Sequence, residues 1–282
     1  MSEEALAPKK IRNTIMKQIS ILVVLFSITI AFSSFHYKDD KTFGDYKMKE
    51  FSFQGHAAKI VFPSKKNQDS NWIWRARFWG TEPQVDKALL DKGFHLVYVD
   101  VANLFGNQEA VDLWDDFYAF CTSEFGLNKK VVLEGMSRGG LIVYNWASQN
   151  TDKVFCIYAD APVCDIKSWP GGLFNGKGNA LAWKTCLNAY NLDTTSVKTF
   201  KNIPINNSVH LAKAGIPVIH VFGDMDEAVP YKENTALLAE KYKEAGGYIE
   251  LIKKEGVGHH PHSLEDPKPI VDFILKHVGY KE

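Results

Sequence analysis

From residue 57 onward the chain alternates short apolar runs with stretches of helical spacing. The runs are "AAKIVFP" (57–63), "NWIWRARF" (71–78), "FHLVYVDV" (94–101), "KKVVLEGM" (129–136), "VFCIYADA" (154–161), "IPVIHVFGD" (216–224) and "YIELIKKEG" (248–256). They are rich in Val, Ile, Phe and Tyr, and several are apolar throughout, as strands buried on both faces are. Between them, residues 81–93, 107–126, 139–150 and 231–247 place apolar side chains at i, i+3 and i+4, and three of these stretches end at glycine. A last helical pattern covers 267–278. Strand and helix in alternation predict an α/β fold with a mostly parallel central sheet and helices on both faces. Residues 162–213 break the rhythm with about fifty residues where a crossover needs far fewer. That interval predicts a small lid insertion rather than a second domain.

The N-terminus reads differently. "ISILVVLFSITIAF" (19–32) carries no charge and follows Lys9, Lys10, Arg12 and Lys17. It is shorter than the ~20 residues a membrane span requires and suits the apolar core of a signal peptide, with Ala31-Phe32-Ser33 as a small-x-small cleavage site. Residues 1–35 are therefore expected to be a signal peptide or N-terminal anchor, and 36–282 the folded domain. The expected location is periplasmic or extracellular, with membrane contact only if the segment stays uncleaved. Export permits disulfides. Cys121 and Cys156 lie in apolar runs and read as buried thiols, whereas Cys164 and Cys186 share one irregular region and are candidates to pair. No C-x-x-C or Cys/His cluster points to a metal or cofactor. The 282 residues hold 33 basic and 33 acidic side chains. That balance gives no case for nucleic acid, which a clustered basic excess would announce.

The chemistry sits in "VVLEGMSRGGLIVYNW" (131–146), where a strand pattern turns into a helix pattern around Gly135-Met136-Ser137-Arg138-Gly139. G-x-S-x-G is common as a bare pattern; the strand-turn-helix context makes it specific. Glycines on both sides let the turn be sharp enough to hold a serine hydroxyl above the sheet edge, at a helix N-terminus whose N–H groups face a developing oxyanion. Such a serine needs a base and an orienting carboxylate. Downstream, Gly223-Asp224-Met225-Asp226 with Val229-Pro230 ends one strand, and "KEGVGHHPHSLEDP" (254–267) follows the next.

With these motifs in this order, the region from about residue 55 to 280 resembles the α/β-hydrolases. The acid loop G-x-x-D-x-x-V-P matches Gly223 to Pro230, and the histidine loop G-x-G-H matches Gly256 to His259. The resemblance implies Ser137 as nucleophile, Asp226 as acid and His259 as base. Asp160, at a neighbouring strand end, competes for the acid role, and His260 for the base. The resemblance also implies an oxyanion hole from the Arg138 N–H and a donor on the loop after 71–78. The family's usual His-Gly is missing there, and "RFWGTE" (77–82) leaves Phe78 or Trp79 as candidates.

Arg138 follows the nucleophile, and Arg75 and Arg77 share one face of the preceding strand by its two-residue period. They either pair with Glu82 or Asp100 or clamp a substrate carboxylate. An arginine directly after the nucleophile resembles glucuronoyl esterases locally. Trp72, Trp74, Trp79, Trp169 and Trp183 are candidate sugar-stacking faces. The expectation is an exported serine carboxylic-ester hydrolase acting on a small-molecule or glycan ester, with acyl or methyl esters on polysaccharide foremost. The alternatives are a serine peptidase of the prolyl-oligopeptidase type and a non-catalytic sugar-binding module.

Overall fold

The structure is a computed structural model, and it describes residues 41–281; the expected signal segment lies outside the described residues. Nine strands form one sheet: β1 (Lys41–Phe43), β2 (Tyr46–Phe53), β3 (His56–Phe62), β4 (Trp72–Arg75), β5 (His95–Val99), β6 (Val131–Met136), β7 (Val154–Asp160), β8 (Val218–Gly223) and β9 (Ile249–Lys254), in the order β1-β2-β3-β5-β4-β6-β7-β8-β9. The first three run antiparallel up to β5, and every pairing from β5 to β9 is parallel. Among the described residues the α-helices are α1 (Gln84–Asp91), α2 (Gln108–Glu124), α3 (Gly139–Gln149), α4 (Ala180–Ala189), α5 (Pro204–Lys213), α6 (Thr235–Glu244) and α7 (Lys268–Val278).

Strand β4 shows how the sheet divides its two faces. Trp72 and Trp74 point to one side, where Trp74 stacks on Trp114 of α2 at 3.9 Å and meets Trp146 of α3 edge-on. Ile73 points to the other and packs with Val85, Leu89 and Leu90 of α1 and Ile270 and Ile274 of α7. Trp72 and Trp74 are fully buried, so neither is the sugar-stacking face the sequence suggested. Strand β2 escaped the sequence reading because it changes its buried side midway. Met48 faces the α1–α7 layer, while Phe51 and Phe53 meet Phe117 and Phe120 on the α2 side. That leaves no simple alternation.

The interval 162–213 contains α4 and α5, and α5 packs against α3 and α6 as part of the helical layer. Its beginning is tied to the turn before α6. Ser168 donates to Glu233 at 2.8 Å, and Asn234 accepts the Cys164 N–H at 2.8 Å. The expected Cys164–Cys186 pair does not form: all four cysteines are free and buried, with the Cys164 thiol donating to the Pro162 carbonyl and Cys186 lying in the electrostatic neighbourhood of Arg138.

One buried histidine carries a testable consequence for stability. His220 of β8 accepts the Tyr144 hydroxyl and lies 3.1 Å from Thr235 Oγ1. Burial pushes its pKa down to about 3. Below pH ~6.5 the unfolded chain takes up a proton that the folded chain refuses, so this residue costs stability as pH falls. Replacing it with glutamine should destabilise the protein at pH 8. The deficit relative to wild type should then shrink by about 1.4 kcal/mol for each pH unit below 6.5. Urea unfolding of both proteins at pH 8, 6 and 4.5 measures this, and a constant gap would exclude it.

Candidate active site

The turn after β6 places Ser137 with φ at +48°, in the left-handed region that non-glycine residues rarely adopt. Its amide donates to the Asp160 carbonyl at 2.8 Å, and its carbonyl accepts from Gly140 and Val163. The strained residue is thus held by main chain on both sides. Gly140 is essential to that approach: a Cβ there would lie 2.7 Å from the Pro162 Cβ. Ser137 itself is only 5% exposed.

The acid loop leaves β8 at Gly223, which the histidine loop crosses so closely that a Cβ would sit 2.2 Å from the Val257 carbonyl oxygen. Asp224 accepts the Gly256 N–H at 2.8 Å and ties the two loops together. Asp226 turns inward. One carboxylate oxygen accepts the N–H groups of Ala228 and Val229, at 2.9 and 2.8 Å, which orients the other toward His259. His259 donates from Nδ1 to that oxygen at 2.6 Å, and its Nε2 lies 2.9 Å from Ser137 Oγ. Three side chains from three strand ends therefore form one hydrogen-bonded chain, the geometry that makes a serine hydroxyl nucleophilic.

The competing residues have a pairing of their own. Asp160 accepts from His262 Nδ1 at 2.8 Å, and also from the Ser263 N–H and the Tyr158 hydroxyl. His262 also donates its main-chain N–H to Glu82 at 2.8 Å. His260 is exposed beside them. Asp160 is thus spoken for by a second histidine, which the sequence reading missed although it had singled out this aspartate. His259, His260 and His262 are the group of potential metal-ligating side chains among the described residues.

The arginines separate. Strand β4 ends at Arg75, so Arg77 lies beyond it and the two do not share a strand face. Arg75 is 1% exposed and is no substrate ligand. Its guanidinium bridges Asp86 of α1 and Glu134 of β6, and also donates to the carbonyls of Arg77, Phe78 and Thr81. The two carboxylates raise its pKa despite burial. Burial in turn drives Glu134 well above the usual carboxylate range. A lone glutamate in an apolar strand was the signal for such a partner.

Arg77 and Arg138 both line a small cavity of about 10 Å³ next to the turn that carries Ser137, with Ala76, Val101, Phe105 and Ile142. The Arg138 guanidinium lies 5.0 Å from the Phe105 ring and 5.8 Å from Trp169. Arg77 lies 5.0 Å from the Phe78 ring. Asp100 is an acidic electrostatic neighbour of Arg138, and Arg77 hydrogen-bonds to the Tyr98 hydroxyl, while the Nε of each arginine is buried without a partner. Burial, and secondarily Arg77, lowers the Arg138 pKa to about 10. Phe78, at φ +55°, begins the loop that Arg75 grips. Trp79 turns away instead, packing on Phe43, Tyr98 and Lys59, so the structure does not bring it to Ser137. Trp169 adjoins the cavity through Arg138.

Comparison with solved structures places this arrangement among known folds. Acylaminoacyl peptidase from Pyrococcus horikoshii superposes with a TM-score of 0.62 at 14% identity, covering 86% of this chain and 43% of that one. S-formylglutathione hydrolase from Agrobacterium tumefaciens gives 0.58 at 13% identity, covering 86% and 97%. Est1E from Butyrivibrio proteoclasticus gives 0.56 at 20% identity, covering 82% and 99%. The chain thus spans less than half of the peptidase and nearly all of the other two. No curated protein matches the sequence. The model of the prolyl oligopeptidase family matches residues 97–281. That segment holds Ser137, Asp226 and His259 and most of the parallel sheet, and the chain accordingly belongs to the prolyl oligopeptidase family of serine hydrolases, built on the α/β-hydrolase fold.

Proposed function

We propose that the protein is a carboxylic-ester hydrolase working through an acyl-enzyme, and that its substrate is an ester on an acidic carbohydrate. The hydrogen-bonded chain Ser137–His259–Asp226 carries the reading. Ser137 Oγ attacks the acyl carbon while His259 Nε2 takes its proton, and Asp226 stabilises the imidazolium so formed. The tetrahedral oxyanion is received by the backbone N–H groups of Arg138 and Phe78. Collapse breaks the C–O bond, His259 returns the proton to the departing alcohol, and a water activated by the same imidazole releases the acid.

The esterase reading draws support from S-formylglutathione hydrolase and Est1E, whose lengths the chain spans almost completely. The peptidase alternative has somewhat more support from the comparisons, through the family match and the Pyrococcus horikoshii neighbour. Turnover of p-nitrophenyl acetate against a peptide p-nitroanilide decides between them. Faster anilide cleavage would overturn the esterase reading, and glycan binding without turnover of either would favour a binding module.

The acidic substrate is supported by Arg77 and Arg138, two cationic groups next to the nucleophile turn whose Nε atoms are buried without a partner among the described residues. A substrate carboxylate there gains charge-assisted hydrogen bonds worth ~1.5–3 kcal/mol. Arg138→Met should therefore lower the ratio of kcat/KM on an acetylated uronic-acid oligosaccharide to that on a neutral acetylated one by about tenfold or more. An unchanged ratio would remove the acidic-substrate assignment and leave the esterase reading standing. The apolar segment 19–32 supports export as part of this proposal; an N-terminus of the mature protein that still begins at Met1 would contradict signal cleavage.

A further inference from the structure

The loop after β9 brings three imidazoles together. The rings of His259, His260 and His262 lie 4.8–4.9 Å apart, centre to centre, each nearly edge-on to the others. One nitrogen from each falls within 4.8 Å of the other two. Two of the three are already oriented as metal-binding histidines are, with a carboxylate on the distal nitrogen. His259 Nδ1 is held by Asp226 at 2.6 Å and His262 Nδ1 by Asp160 at 2.8 Å. That leaves Nε2 as the outward nitrogen of each ring, on Ser137 Oγ at 2.9 Å for His259 and without a partner for His262.

The Nε2 of His262 has no role in the hydrolytic chain. His262 is 2% exposed, and this nitrogen is buried without a hydrogen-bond partner. With the Nδ1 proton given to Asp160, a neutral ring carries its lone pair on that orphaned nitrogen. A buried polar atom without a partner is costly, and a ligand that accepts its lone pair removes the cost.

We propose that His259, His260 and His262 form a site for Zn²⁺ whose occupancy reversibly shuts the active site. Three neutral imidazoles and a water complete the tetrahedral set that zinc favours. Zn–N bonds of about 2.0–2.1 Å put the ligand nitrogens ~3.3 Å apart, so the rings have to close from their present spacing. The exposed His260 is free to swing inward, while His262 is fixed by Asp160 and Glu82. The Nε2 lone pair of His259 cannot bind zinc and accept the Ser137 proton at once. Metal binding and turnover therefore exclude each other. No bond to substrate is involved, and a chelator reverses the state.

The inhibitory half rests on His259 acting as the base, whereas the binding half does not, and the experiment separates them. Zinc chloride is titrated calorimetrically into the full chain and its His260→Ala variant, and p-nitrophenyl acetate turnover is followed in parallel with and without EDTA. The expected result is one zinc per chain, loss of at least nine-tenths of the turnover at saturation, and recovery with EDTA. Losing an outer carboxylate partner weakens zinc sites about 10–100-fold, so losing the His260 ligand should weaken this one at least tenfold. The variant should keep its zinc-free turnover and escape inhibition. Absence of 1:1 binding, or unchanged affinity in His260→Ala, overturns the site. Binding that requires His260 but leaves turnover intact overturns the inhibitory role. Binding with no turnover at any zinc level would count against the hydrolase reading and not against the site.

Discussion

Ser137→Ala should abolish hydrolysis of p-nitrophenyl acetate, lowering kcat by about 10⁴–10⁶-fold, as loss of a triad nucleophile does. The size of the effect follows from geometry. Ser137 Oγ is the atom 2.9 Å from His259 Nε2, and His259 is in turn fixed by Asp226. Without the hydroxyl, no acyl-enzyme forms, and only general-base attack by water remains. Labelling by a fluorophosphonate, which reports an activated serine, should vanish with turnover. The fold should survive, because the neighbouring amides and carbonyls that hold the turn belong to the backbone. A variant that unfolds would mean the hydroxyl is structural. A variant that folds and keeps more than about a tenth of wild-type activity would remove Ser137 from the mechanism, since no triad nucleophile is so dispensable.

Arg75→Met should destabilise the protein by about 3–5 kcal/mol, the usual cost of removing one partner from a buried ion pair. Asp86 and Glu134 are both fully buried and would face each other without the cation between them. The carbonyls of Arg77, Phe78 and Thr81 would lose their donor in the same step. For a domain of this size, that loss corresponds to a fall in Tm of roughly 10 °C. Arg75→Lys should recover only part of it, because an ammonium is a compact charge and cannot reach five acceptors spread around a planar fork. Scanning calorimetry of the two variants checks the ranking. Equal stability of lysine and arginine would mean that charge alone matters and that the fork does not hold the loop. Since the gripped loop carries Phe78, activity at low temperature should fall as well in both variants.

The contrast between Arg75 and Arg138 shows where pattern reading stops. Both stood near the expected nucleophile in the sequence, and both were candidate substrate ligands. Strand β4 ends at Arg75 and sends its side chain into the α1 layer, where Asp86 and Glu134 neutralise it. Arg138 opens α3 and lies beside the Phe105 and Trp169 rings, its orphaned Nε buried and Asp100 its acidic electrostatic neighbour. No spacing rule distinguishes the two, because the carboxylates that neutralise Arg75 come from a helix and from a separate strand. The same limit explains the cysteines. Sharing one irregular stretch suggested a Cys164–Cys186 pair, but Cys164 is bonded to the Pro162 carbonyl and Cys186 sits by Arg138, and both stay free.

The amino-acid sequence alone determined the alternation of strands and helices, the sharp turn at Ser137, and the order serine, acid, histidine along the chain. These are local matters, decided by periodicity within ten or fifteen residues and by glycines at particular turn positions. The tertiary structure decided which partners meet. It put His259 between Asp226 and Ser137, gave Asp160 to His262, and left His260 exposed. It also turned Trp72 and Trp74 into core and Trp79 away from the site. Such pairings join segments up to about 120 residues apart. Their outcome depends on loop paths of an ångström or two, and no local pattern carries that information.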